Sequence, residues 1–112
     1  MQDMHTVVET PTFLAAAAKA GMSEADRQRA VDIIAANPQA GDVISGGGGV
    51  RKVRVPREGT GKSGGYRVLT YYMTDDEPVF LISVLNKTKQ ANLSASQKDG
   101  VKAVAKEIRN ER

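Results

Sequence analysis

The 112-residue sequence predicts an α+β fold in the order β-α-α-β-β-β-α. Three observations carry that expectation. Helix-start signals occur twice near the beginning of the chain and once near its end, at Thr10, Ser23 and Ser94. Between them lie three runs rich in β-branched and aromatic residues, "VRKVRV", "YRVLTYYM" and "VFLISVLNK". Those runs are joined by turn-like segments with no helical pattern between them, which argues for an antiparallel meander. The expected architecture is a small, mostly antiparallel sheet packed by helices, with the other face partly open. The length fits one domain, residues 1–112, with a modest core that needs no disulfide or metal.

Each element has its own warrant. "HTVVET" is a short first strand. In "TPTFLAAAAKAG", Thr10 is placed to cap, Pro11 takes the first helical position and Gly21 ends the helix. In "MSEADRQRAVDIIAANP", Ser23 caps, Asp26 lies three residues on, and Asn37-Pro38 stops the helix. Ala30, Val31, Ile33 and Ile34 give it an apolar stripe. "GDVISGGGG" reads as a flexible connection. In "VRKVRV", Val50, Lys52 and Arg54 share one face while Arg51, Val53 and Val55 share the other. "VFLISVLNK" is nearly continuous in apolar residues, as a central strand buried on both faces would be. Ser94 with Gln97 is a capping-box pattern opening the last helix. There Val101, Val104, Ala105 and Ile108 form an apolar stripe, and Lys98, Lys102, Lys106 and Arg109 line another side. That basic stripe reads as a solvated surface or as a contact for RNA or a protein partner.

Composition excludes several function classes. Cysteine is absent, which removes thiolate zinc sites and disulfides and is compatible with a cytoplasmic setting. No apolar run is long enough to span a bilayer, and "MQDMHTVVET" lacks the pattern of a signal peptide. His5 is the only histidine, so neither a metal site nor a serine–histidine nucleophile is well supported. The acids of "TDDEP" read as a solvated hairpin tip. No metal and no cofactor is expected.

"GTGKSGGYR" invites comparison with a nucleotide-binding phosphate loop, and it fails the test. Pro56 stands where the first glycine belongs, and a strand pattern follows where a helix is needed. The loop reads instead as a hairpin connection.

Charge distribution says more than the net charge of +3. Arg51, Lys52, Arg54, Arg57, Lys62 and Arg67 lie within one stretch that holds a single acid, Glu58. A local positive field of this kind suits a phosphate polyanion. Cleavage of RNA by its own 2′-OH needs a base, a cation for the charge growing on the phosphate, and an acid for the leaving oxygen. A lysine among other cations can serve as base, and an arginine fork suits the phosphate. From spacing alone, catalysis, phosphate binding without chemistry, and plain solvated strand residues all stay open.

Four stretches together resemble the RelE/ParE toxin superfamily, in particular its HigB-like branch of bacterial toxin–antitoxin systems. They are "TVVETPTFLAAA", "NPQAGDVISGGGGVRKVRV", "GKSGGYRV" and "NKTKQANLS", in family order from Thr6 to Ser94. The run G-G-V-R-K-x-R followed by G-K-S-G-G-Y-R-V is the most specific part. The resemblance implies a compact α+β toxin that cleaves mRNA on the translating ribosome. It implies a cognate antitoxin, often a helix-turn-helix protein.

Carried onto this chain, the resemblance gives Lys52, Arg67 and Lys87 as catalytic candidates. Arg67 would stabilise the phosphate, Lys52 is the candidate base, and Lys87 would act as acid or phosphate ligand. Arg51, Arg54, Lys62 and Lys89 would bind RNA, and Tyr71 and Tyr72 are candidate stacking rings. One segment departs from the branch, whose members tend to read K-N-E-K-A-N-L-S. Here Lys89 stands in place of an acid and Gln90 in place of a base. The resulting expectation is a metal-independent, ribosome-dependent mRNA endoribonuclease acting in the cytoplasm. The rivals are a ParE-like inhibitor of DNA gyrase on a similar fold and a catalytically inactive homologue.

Overall fold

A computed structural model of the chain describes residues 5–56, 65–86 and 93–111. The elements are β1 (Val7–Glu9), α1 (Pro11–Ala20), α2 (Glu24–Ala36), β2 (Asp42–Val43), β3 (Arg51–Val55), β4 (Tyr66–Tyr71), β5 (Val79–Asn86) and α3 (Ala95–Asn110). The five strands form one sheet in the order β1-β5-β4-β3-β2. Every pairing is antiparallel except β1 with β5, which run parallel with Val7 opposite Val79. The expected α+β fold and meander are present.

The helix ends form by the anticipated local chemistry. The Phe13 backbone N–H donates to Thr10 Oγ1 at 3.1 Å, and Pro11 follows at the first helical position. Gly21 closes α1 in the left-handed region, with φ of 82°. Ser23 and Asp26 complete a reciprocal capping box on α2, as do Ser94 and Gln97 on α3. Each such box satisfies two backbone N–H groups that the helix itself leaves without partners.

The sheet separates two apolar layers. On one face Phe13 and Ala17 of α1 and Ala30 and Ile34 of α2 pack on Val53, Val55, Tyr66, Val68, Val79, Leu81 and Val84. On the other, Val101 and Ala105 of α3 pack on Ile44, Val50, Leu69, Tyr71 and Ile82. Fully burying side chains of this size contributes about 1.5–3 kcal/mol each. The continuous apolar run of β5 is explained by its place between β1 and β4 with helices on both faces. A register shift opposite Leu69 and Thr70 leaves Ile82 as the extra residue on β5.

One segment differs from expectation. "GDVISGGGG" contains the two-residue strand β2, with Asp42 opposite Lys52 and Val43 opposite Arg51. The Ile44 backbone N–H then donates to the Val50 carbonyl at 2.9 Å, closing a hairpin over the glycines. Neither strand residue has the apolar alternation that marks a strand in sequence, so pairing with β3 decides the conformation. His5 has structural contacts: its Nε2 bonds the Glu77 carbonyl at 2.5 Å and its ring meets the Tyr72 ring edge-on.

Candidate functional site

Three of the functional candidates, Lys52, Arg54 and Arg67, gather on the α3 side of the sheet. Directly opposed residues on adjacent strands point to the same face. Lys52 opposes Leu69, and Arg54 opposes Arg67. Leu69 lies under α3, so Lys52, Arg54 and Arg67 share that face. Two positions along a strand span about 7 Å, so the three cations form a compact group. Arg54 is exposed, while Lys52 and Arg67 are half-buried.

Arg67 is the most constrained of the three. Its Nη1 is buried and has no hydrogen-bond partner among the described residues. A buried guanidinium nitrogen left in that state is unfavourable unless an acceptor is supplied. An anionic oxygen brought to this face satisfies it, and a guanidinium binds phosphate oxygens in pairs. The neighbouring Arg54 guanidinium strengthens the same preference for an anion.

Asp42 faces Lys52 across the β2–β3 ladder. Beside them the first turns of α3 bring Lys98 to a hollow of about 260 Å³, lined also by Ser45 and Leu93. This hollow extends the cationic group past the edge of β3. A second, larger hollow of about 500 Å³ lies between α1 and α3 along β5, with Ala16, Ala20, Leu85, Val101 and Val104 in its wall. Its position follows from the strand pairing: β1 matches β5 only as far as Leu81, after which Thr10 turns the chain into α1.

Other candidates are placed elsewhere. Arg51 is on the α1–α2 side, where its Nη1 donates to the Gln39 and Gly41 carbonyls at 3.3 Å each. Those bonds hold the segment leading into β2. Tyr71 is buried under α3, where it accepts a hydrogen bond from Arg109, so it offers no open ring. Tyr72 donates to Asp75 in the turn before β5 and meets His5, at the end of β4 away from Arg67. Lys62, Lys87 and Lys89 lie outside the described residues, as does Gln90.

Sequence reasoning missed two contributors. Arg109 was grouped with the helix lysines, yet it donates to the Gly48 carbonyl at 3.2 Å and to Tyr71 Oη at 3.0 Å, with its guanidinium 5.8 Å from the Tyr71 ring centre. It pins the end of α3 to the glycine-rich hairpin. Asp42 was hidden because β2 itself was unforeseen. Among the described residues, no helix is long and apolar enough to cross a membrane.

Residues 5–112 match the family model described as "RelE toxin of RelE / RelB toxin-antitoxin system".

Proposed function

The chain belongs to the RelE toxin family of toxin–antitoxin systems, and we propose that it is a ribosome-dependent mRNA endoribonuclease of the HigB-like kind. The observation that carries this reading is the cross-strand pair Arg54–Arg67, with Arg67 Nη1 buried and lacking an acceptor. In the proposed reaction the mRNA 2′-OH attacks the adjacent phosphorus and the 5′ oxygen leaves. Arg67 offsets the charge growing on the non-bridging oxygens. Arg54 holds the strand, and Lys52 takes the 2′ proton. Lys87 supplies the proton to the leaving oxygen. The decoding site supplies what a small cationic face lacks, a strand held for in-line attack. A cognate antitoxin, of helix-turn-helix type, silences the toxin in the cytoplasm.

The test is primer extension on an mRNA in a reconstituted translation reaction, with and without ribosomes. Wild type runs beside Arg67→Ala, both verified as folded by circular dichroism. New cuts that require ribosomes and disappear in Arg67→Ala support the reading. Intact mRNA at stoichiometric dose overturns it, and loss of gyrase supercoiling under the same dose assigns the chain to gyrase inhibition instead.

A further inference from the structure

We propose that Lys98, Lys102 and Lys106 of α3 form a second RNA-backbone contact, continuous with the Lys52–Arg54–Arg67 face. The inference rests on that strand face being the RNA site and names where the same strand runs beyond it. The three lysines recur at intervals of four, so they lie on one side of the helix about 6 Å apart along its axis. Lys102 and Lys106 are exposed and Lys98 is half-buried.

The stripe is oriented by packing. Val101 and Ala105 face the sheet. Lys102 lies against the β2–β3 hairpin, where its Cγ sits 3.1 Å from the position a Cβ on Gly48 would take. Arg109 bonds the Gly48 carbonyl one helical stretch further on. The lysines therefore border the β2–β3 side of α3. At the start of the stripe, Lys98 and Lys52 line one hollow, so the helix stripe and the strand face meet there.

The stripe is electrostatically unfavourable as it stands. Like charges at i,i+4 destabilise a helix, and here there are two such pairs in succession. Asp99 has the i,i+3 spacing to Lys102, yet no ion pair between them is present among the described residues. Among the described residues lining the shared hollow, Asp42 is the one carboxylate against the two ammoniums of Lys52 and Lys98. A polymer with one charge per unit, laid along a row of regularly spaced cations, relieves the repulsion at each step. RNA meets that description and already occupies the adjoining face in the proposed reaction. An acidic protein segment is the competing occupant.

The experiment measures equilibrium binding of the full chain to 2′-O-methyl RNA, which cannot be cleaved, over a range of salt. Two lengths are used, about four and about twelve nucleotides, within the span of single-strand sites. With Lys98→Gln, Lys102→Gln and Lys106→Gln combined, affinity for the longer RNA falls about tenfold or more. The slope of log affinity against log salt drops by about 2, at roughly 0.7 per single-strand phosphate contact. Binding of the shorter RNA is unchanged, whereas Arg67→Ala weakens both lengths. Each single variant gives about 0.7 of slope, which keeps the proposal testable if the combined variant melts early.

A wild-type slope for the combined variant on the longer RNA overturns the proposal. A retained RNA slope with lost binding to a polyglutamate peptide overturns it in favour of an acidic protein partner. Cleavage is not the readout, so failure of the nuclease reading appears separately, as absent cuts in the translation reaction with this binding intact.

Discussion

Arg54 and Arg67 stand directly opposite each other across the β3–β4 ladder, two like charges in the position where cross-strand side chains approach most closely. Like charges so placed are destabilising, by about 0.2–1 kcal/mol. A fold that retains such a pair on an exposed face gains nothing from it without an anion. Arg54→Thr is therefore expected to raise stability by about 0.2–1 kcal/mol in urea unfolding, since threonine also suits a strand. The gain shrinks in high salt, where the repulsion is screened. RNA binding falls in the same variant. A loss of stability in low salt would show that the two guanidiniums do not repel.

Gly41 sets the position of Lys52 from behind. Its φ is 86°, and an added Cβ would lie 2.2 Å from the Lys52 carbonyl oxygen. Gly21 has nearly the same backbone angle, 82°, with no atom within 4 Å of an added Cβ. Alanine at Gly21 thus meets only the backbone preference, about 1 kcal/mol. Alanine at Gly41 meets that preference and a collision with strand backbone. We expect Gly41→Ala to lose clearly more stability than Gly21→Ala in parallel thermal melts. It also weakens RNA binding by moving Lys52, which Gly21→Ala leaves alone. Equal losses from the two variants would remove the steric argument.

These positions show what the sequence made legible. Helix ends were readable because their signals are local: a hydroxyl or carboxylate three residues from the N–H it accepts, at Thr10, Ser23 and Ser94. The meander was readable because β-branched runs are separated by turns. The shared face of Lys52 and Arg54 followed from strand alternation, while the place of Arg67 beside them came with the β3–β4 register. Strand β2 was not readable, because Asp42 and Val43 become a strand only by pairing with Lys52 and Arg51, ten and eight positions away. Arg109 was misread for the same reason: its periodicity places it near the lysines, while its partners, Gly48 and Tyr71, are distant in sequence. The buried, partnerless Nη1 of Arg67 is a property of packing, which no motif records.

Asp26 joins α2 to the sheet. Buried at 4 % exposure, it caps the Ser23 N–H at 3.2 Å, receives Arg29 Nη1 at 3.3 Å, and lies 3.5 Å from the Tyr66 hydroxyl. Removing it leaves a cap undone and takes the charged partner from the part-exposed Arg29 and from the Tyr66 hydroxyl, which keeps the Gly21 carbonyl at 3.2 Å. Asp26→Ala is expected to lower stability by about 2–4 kcal/mol. Asp26→Asn keeps an oxygen for the Ser23 N–H and loses less. Denaturant unfolding of the two variants, with Tyr66→Phe as a third, tests whether the losses share one network. A Tyr66→Phe loss that adds fully to that of Asp26→Ala would show that they do not.

Tyr72 provides a pH signature at the turn before β5. Its hydroxyl bonds Asp75, and this bond is the chief cause of a phenol held above the ordinary tyrosine value of 10.0; desolvation and the charges of Asp75 and Asp76 act in the same direction. The favoured form is the neutral phenol. With the folded value above the unfolded one, the linkage supplies stability below the unfolded value, and that stability is lost as pH rises through the folded one. Ultraviolet titration of the phenolate, taken as the difference between wild type and Tyr72→Phe, is expected to give a midpoint above the usual tyrosine range. Asp75→Asn brings that midpoint down, because it removes both the charged acceptor and its field. Asp76→Asn, which removes charge alone, moves it less. A midpoint unmoved by Asp75→Asn would detach the shift from the hydrogen bond and leave the turn without the contact that orders it.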